Sequence, residues 1–357
     1  MDQDRRSIIF VGGHRKPLTR VSTDAVDKVT LNLADGMSAL GYKVHIVSLR
    51  PETPSVSGPF LYSYIDASFP GWLKPFIFYI RACMQIRKIN ARYVHFNVGL
   101  PGILSWMTGG RITIRCFHNR PGEYGSNPFF NVYSFLNSLG DRNFSVYLSV
   151  SQYVKESVDQ QYNRKPSFIL YNSVDTKKYV PGKKKKGRIF YSGRVVPEKG
   201  VEELILAFSK IRNHKLKLRI AGPYMLYTHS KFSNDIFSII SKDRRIEYLG
   251  VLDEKRLIRE YQEADIFCYP VKWEECFGVS LLEAQFCGAR ILTTRRGGIP
   301  EIAYGAEYVE PSTESIQEGI SRMIGMPSNK QRRIGQDKFS IAAVAAKYDK
   351  ILQSVRN

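Results

Sequence analysis

Between Ala67 and Gly122 the chain has no acidic residue, although eight lysines and arginines fall inside that stretch. It also lacks any apolar run approaching the ~20 residues of a membrane-spanning helix. Cys-x-x-Cys pairs, a Gly-x-Gly-x-x-Gly run and internal repeats are missing too. Each absence excludes something. Without an apolar span the chain is not expected to cross a bilayer. Its first residues, MDQDRRSIIFVGG, carry no long apolar segment of a secretion signal, so the expected location is the cytoplasm. The five cysteines, Cys83, Cys116, Cys268, Cys276 and Cys287, are odd in number and scattered through strand and helix patterns. They are expected to be reduced core or core-edge thiols, not metal ligands. The missing glycine run removes the dinucleotide fingerprint.

What is present is an excess of positive charge, 53 Lys and Arg against 33 Asp and Glu, for a net charge of +20. Such an excess calls for an anionic partner, with nucleic acid and an acidic membrane surface as the two candidates. No aromatic-interleaved basic motif of an RNA or DNA reader occurs, so nucleic acid is not expected. A length of 357 residues suggests two domains.

Residues 7–11 are an apolar run of strand length that ends on Gly12 and Gly13. A helical pattern over about 23–40 follows, with Val26, Val29, Leu33, Met37 and Leu40 on one face, and then a strand over 42–49. This order is a βαβ unit, in which the glycine pair by itself means only a tight turn. Residues 72–90 mix bulky apolar and basic side chains at helical spacing. Such a helix either shows a solvated basic face or rests on acidic lipid headgroups. Strands are predicted over 93–98, over 112–117 running into His118 and Asn119, and over 143–150. The stretch 181–187, PGKKKKG, reads as a linker whose four lysines repel one another. Beyond it a strand over 188–192 runs into Gly193-Arg194 and Pro197-Glu198-Lys199-Gly200, followed by a helix over 201–211. Arg194 and Lys199 flank a glycine-bounded turn at a helix start, a sensible cradle for a diphosphate. Strands over 216–221, 245–249 and 265–269 continue the rhythm of a parallel sheet, which binds ligands at the carboxyl ends of its strands. A helical pattern over 339–355 closes the chain.

The most informative stretch is 261–301, YQEADIFCYPVKWEECFGVSLLEAQFCGARILTTRRGGIPE. It reads strand, loop, helix. Gly278 permits a tight turn, and the amides of Phe277, Gly278 and Val279 lie at the helix start, where an anionic or strongly polar ligand is favoured. Glu283 sits against the helix's apolar face, a costly place for a carboxylate without partners. Glu275 and Glu283 enclose seven residues. That pattern, followed by Gly-Ala-Arg and Gly297-Gly298-Ile299-Pro300-Glu301, resembles the donor site of glycosyltransferase family 4, retaining enzymes of the GT-B fold.

The resemblance extends over essentially the whole chain, most densely over 188–305. It implies an α/β protein of two Rossmann-like domains with a cleft between them: an acceptor-binding domain over 1–180, a nucleotide-sugar domain over 187–335, and a last helix, 336–357, returning to the first. It further implies transfer of a hexosyl group, with retention, from a nucleotide diphosphate sugar, UDP favoured and GDP possible. The acceptor is a saccharide or lipid-linked saccharide of cell-envelope or surface polysaccharide synthesis. Arg194, Lys199, Gly12 and Gly13 would meet the donor diphosphate, and Glu283 the ribose. Glu275 with Phe277, Gly278 and Val279 would hold the donor sugar, and Glu275 and His118 are the candidate catalytic residues. Asn119 stands where the family often has aspartate, and Ser173 where it often has glycine. Asp2 and Asp4, the sole Asp-x-Asp, precede the first strand, so neither a metal nor another cofactor is expected. A sugar-nucleotide epimerase of the same fold and a simple nucleic-acid or membrane binding module are the competing readings. The acid-free stretch, with Trp72, Phe76, Phe78 and Tyr79, points to an anionic membrane surface that presents the acceptor.

Overall fold

The computed structural model describes residues 6–20, 24–52, 59–66, 73–122, 128–163, 165–224, 236, 238–326 and 335–355. The chain folds as two compact units. Residues up to Ser173, together with those from Asp337 onward, form one, and Val174–Gln336 forms the other.

In the first unit seven parallel strands make one sheet: β1 (Ser7–Val11), β2 (Lys43–Leu49), β3 (Leu61–Ile65), β4 (Tyr93–Phe96), β5 (Ile112–Phe117), β6 (Val146–Ser149) and β7 (Ser167–Ile169). Their spatial order is β3-β2-β1-β4-β5-β6-β7. The strand order therefore reverses direction beside β1, between β2 and β4. β1 and β4 are buried along their whole length, as expected of strands covered on both faces by crossover helices. The helices are α1 (Ala25–Ala39), α2 (Lys74–Lys88), α3 (Pro128–Asp141) and α4 (Gln152–Tyr162). Asp24 starts α1 by accepting from the Val26 amide at 2.9 Å, and Ser151 starts α4 by accepting from Val154 at 3.2 Å.

The second unit repeats the plan. Strands β8 (Lys185–Ser192), β9 (Lys217–Ala221), β10 (Ile246–Tyr248), β11 (Ala264–Tyr269), β12 (Arg290–Thr293) and β13 (Glu307–Tyr308) lie in the order β10-β9-β8-β11-β12-β13, all parallel. The reversal here lies beside β8. Helices α5 (Val201–Lys210), α6 (Glu254–Glu263), α7 (Val279–Phe286) and α8 (Thr313–Gly325) complete it. The last helix, α9 (Ile341–Ser354), belongs to the first unit and packs on α1. Gly36 makes this close: a Cβ there would lie 2.5 Å from the Ala345 Cβ. Tyr42 donates to Asp349 at 2.6 Å and Tyr93 to the Leu352 carbonyl at 3.1 Å, both from the sheet side to α9.

Three expectations are corrected. The chain leaves the first unit at Ser173, not at 180, and the lysine stretch is no free linker. Lys184 donates to the carbonyls of Cys287 at 2.7 Å and Tyr261 at 3.1 Å, and Gln262 donates to the Val180 carbonyl at 3.1 Å. Lys185 pairs with Glu263 and already opens β8. Repulsion among neighbouring lysines is thus outweighed by carbonyls and carboxylates remote in sequence. In α2, Phe78 and Tyr79 are core residues, not headgroup contacts, because they lie on the face that covers the sheet. Trp72, Asp2 and Asp4 lie outside the described residues. All five cysteines are buried and free.

Candidate functional site

In the second unit the predicted residues converge at the carboxyl ends of β8 and β11, the two strands at the order reversal. Lys199 lies on a short turn after β8 and is 7% exposed. Its ammonium pairs with the Glu275 carboxylate and donates to the Tyr269 hydroxyl at 2.7 Å. An ammonium has three donors, so one remains available. The turn can press against β11 because Gly200 is left-handed (φ 68°), and a Cβ there would lie 1.9 Å from the Pro270 carbonyl oxygen.

Glu275 also accepts from Tyr269 at 2.9 Å and from the Trp273 indole at 3.2 Å. Burial acts to raise its carboxyl. Lys199 and these hydrogen bonds together outweigh burial and hold it below the usual range. The Trp273 ring lies beside two cations, 4.4 Å from the Lys199 ammonium and 5.3 Å from the Arg194 guanidinium. Arg194 itself is exposed. The Gly-Gly-Ile-Pro-Glu turn clamps the backbone of Glu275: the Gly298 amide donates to its carbonyl at 2.7 Å. Gly297 (φ 57°) leaves no room for a Cβ, which would fall 2.2 Å from that same oxygen.

Gly278 is left-handed at 90° and starts α7, whose first turn has no side-chain cap. The amide cluster predicted over Phe277, Gly278 and Val279 therefore sits beside Glu275. Glu283, one turn further on, is 4% exposed and faces the hydroxyls of Tyr179 and Tyr261. Burial, and after it this carboxylate, raises both phenols far above their ordinary value.

His118 lies in the first unit, at the carboxyl end of β5, beside a cavity of about 20 Å³ that also takes in Thr30, His95, Asn97, Asn172 and Ser173. Such a volume holds about one water. Here a hydrogen-bond chain fixes protons. Thr30 donates to the Val26 carbonyl at 2.6 Å and so accepts from the Asn97 amide nitrogen at 2.8 Å. The Asn97 oxygen then faces the Nε2 atoms of His95 at 3.2 Å and His118 at 3.1 Å, and both must carry hydrogen to donate to it. His95 Nδ1 accepts from the Tyr348 hydroxyl at 2.9 Å. The Nδ1 of His118 is consequently a lone pair, able to accept from a hydroxyl. Gly12 and Gly13 end β1 in the same unit. The Gly12 amide donates to Val47 at 2.8 Å and its Cβ position is crowded by Leu18, whereas a Cβ on Gly13 would meet nothing within 4 Å.

Sequence reading missed Tyr269, Trp273, Asn97, His95 and Tyr348. Trp273 and Tyr269 flank Glu275 and could have been noticed as donors near a carboxylate. Tyr348 carried no local signal, since its role depends on α9 returning to the first unit.

Burial is the largest cause that lowers His14 to about 4, His95 to about 4 and His118 to about 3. In the unfolded chain each binds a proton near pH 6.5. Between pH 6.5 and 4 the unfolded state therefore holds more protons, so stability is fully present above 6.5 and declines as pH falls. For His95, 1% exposed, the complete loss is about 3 kcal/mol. Urea unfolding at pH 7, 6, 5 and 4.5 is expected to show this slope, and His95→Asn to flatten it. A midpoint independent of pH over that range would refute the burial of neutral imidazoles.

Comparison with known proteins agrees with the fold. Residues 174–339 match the model of "Glycosyl transferases group 1", and residues 26–178 that of "Glycosyltransferase Family 4". An uncharacterized 42.6 kDa protein of the cps region of Klebsiella pneumoniae is 27% identical over 242 residues, 61% of each chain. The lipopolysaccharide 1,2-N-acetylglucosaminetransferase of Salmonella typhimurium is 26% identical over 184 residues, 46% of this chain and 48% of that protein. The chain thus spans about half to three fifths of the length of these relatives. Among solved structures, Anabaena HepE in complex with UDP and glucose superposes with a TM-score of 0.75 at 14% identity, covering 98% of this chain and 100% of that one. The two-unit α/β architecture is the GT-B fold.

Proposed function

Because the chain belongs to the group 1 glycosyltransferases, we propose that it moves a hexosyl group, with retention and without a metal ion, from a UDP-sugar to a saccharide or lipid-linked acceptor of surface polysaccharide synthesis. GDP is the alternative base. The observation that carries the reading is the cluster of Lys199, Glu275, Tyr269 and Trp273 beside Arg194. It lies where a parallel sheet binds ligands. Departure of the nucleoside diphosphate builds negative charge on the β-phosphate, and fixed donors aimed at developing charge are a major catalytic lever. Arg194 and the remaining donor of Lys199 supply that charge stabilisation; the Gly12 amide, which donates to the Val47 carbonyl, does not. Glu283 takes the ribose hydroxyls. Glu275 and the amides of Phe277 to Val279 hold the donor sugar, and in the first unit His118 Nδ1 is able to accept from a sugar hydroxyl. With retention the leaving phosphate takes the acceptor's proton, so no separate base is required. Support for UDP comes from the HepE complex, and support for a polysaccharide acceptor from the Salmonella transferase.

Thermal unfolding with UDP, GDP, ADP and dTDP in the presence of EDTA tests the donor site. At 100 times its dissociation constant the right nucleotide adds about 2.7 kcal/mol. The expected result is a shift with UDP, and transfer from its sugar to acceptor under the same conditions. No shift with any of the four would overturn the donor assignment. A shift or turnover restored only by Mg2+ or Mn2+ would overturn the metal-free chemistry, and an altered free UDP-sugar without acceptor would show an epimerase.

A further inference from the structure

Six of the large apolar side chains most open to water lie on three segments of the first unit: Ile80 and Met84 on α2, Trp106 on the 3-10 segment Leu100–Thr108, and Val132, Phe135 and Leu139 on α3. The three segments pack together. The 3-10 segment touches α3 so closely that a Cβ on Gly102 would lie 2.0 Å from the Gly140 oxygen, and Asn137 accepts from the Gly99 amide at 3.0 Å and the Leu100 amide at 2.8 Å. Arg111 ties the end of that segment to the end of α2, donating to the Ile89 carbonyl at 2.6 Å and also to Thr108.

The spacing sets the direction of each face. In α2 the buried residues are Pro75, Phe78, Tyr79, Ala82, Cys83 and Ile86, and the exposed ones are Ile80, Arg81, Met84, Arg87 and Lys88. In α3, Asn137, Gly140 and Asp141 face inward, and Val132, Phe135 and Leu139 recur at helical spacing on the outside. Trp106 is 74% exposed. Neither α2 nor the 3-10 segment contains an acid, and the single acid of α3, Asp141, is fully buried and paired with Arg115.

Single exposed apolar residues are ordinary, but a cluster rimmed by charge of one sign marks a contact surface. Its composition selects the partner. Trp, Phe, Leu and Met seat in the acyl and headgroup boundary, while Arg and Lys meet anionic headgroups. Among the described residues of these three segments no acid is exposed, which removes the repulsion that one would impose.

We propose that this face, formed by α2, the segment Leu100–Thr108 and α3, seats the protein on an anionic bilayer. Trp106, Phe135 and Leu139 enter the interface, and Arg87 and Lys88 contact headgroups. The inference deepens the reading of a lipid-linked acceptor, because it would bring the first unit to the surface where that acceptor lies.

Flotation of the full chain with phosphatidylcholine vesicles, with and without phosphatidylglycerol, tests it. The wild type should float only with the anionic vesicles. Val132→Ser/Phe135→Ser/Leu139→Ser, Trp106→Ser and Arg87→Glu/Lys88→Glu should each reduce binding by about tenfold or more, with the nucleotide-induced thermal shift retained as proof of folding. Wild type that ignores anionic vesicles at low salt overturns the proposal, as does a triple variant that floats unchanged. A wild type that does not float but self-associates through this face would assign it to a second copy instead. Flotation needs no donor: a chain that floats without transferring sugar removes only the proposed activity, and one that transfers to soluble acceptor without floating removes only the membrane surface.

Discussion

Replacing Lys199 by alanine is expected to cut transfer by roughly 10- to 150-fold, the worth of one charge-assisted hydrogen bond used in the transition state. The same change is expected to destabilise the fold by about 3–5 kcal/mol, because it strands a buried carboxylate. The Glu275 side chain is 13% exposed and the Lys199 side chain 8%. Tyr269 and Trp273 would remain as neutral donors, at 2.9 and 3.2 Å from Glu275, and they do not replace a cation. The double change Lys199→Ala/Glu275→Gln removes both charges. It should recover most of the stability but none of the transfer, and this contrast separates the pair's structural role from its chemical one. Urea unfolding and turnover measured on both single variants and the double variant complete the cycle. A Lys199→Ala protein as stable and as active as the wild type would remove this cluster from the donor site.

Gly297→Ala should be nearly as damaging to transfer, although position 297 carries no chemistry. Its left-handed backbone alone costs an alanine roughly 1–2 kcal/mol. The new Cβ would also stand 2.2 Å from the Glu275 carbonyl oxygen, so the loop that aims Glu275 must move. A shift of about 1 Å at a positioned group can cost on the order of a hundredfold in rate. Gly13→Ala provides the opposite case. Nothing lies within 4 Å of its Cβ, so stability should stay within about 0.5 kcal/mol. A loss of nucleotide affinity in that variant would place donor phosphates against Gly13. Melting curves and initial rates for the two variants decide both points; Gly297→Ala with wild-type rates would show that the turn does not position Glu275.

Local periodicity was sufficient for much of the molecule. The apolar runs that became β1, β8 and β11, the helix start at Gly278, and the glycine turn that carries Lys199 are short-range features. The sequence itself states which residues share a face there. The spacing of Glu275 and Glu283 likewise placed one before α7 and the other inside it. What lies opposite those faces is a matter of strand order and of helices returning from far along the chain. Lys199 and Glu275 are 76 residues apart, and His95 and Tyr348 are 253 apart. The lysine stretch before β8 looked like a linker because carbonyl partners at Tyr261 and Cys287 cannot be seen from its own composition.

Of the eight basic residues in the acid-free stretch, Arg81, Arg87 and Lys88 are exposed, whereas Arg115 is buried against Asp141. Phe78 and Tyr79 point into the core, and the exposed apolar side chains come from α2, from Trp106 and from α3, beyond that stretch. Sequence by itself therefore determined the elements, their order and the chemical types gathered at the strand ends, because backbone preference and hydrophobic period act over a few residues. Tertiary structure alone decided which carboxylate holds which cation, which nitrogen of His118 is bare and which apolar faces stay uncovered, because each depends on what another segment of the chain brings within a few ångströms.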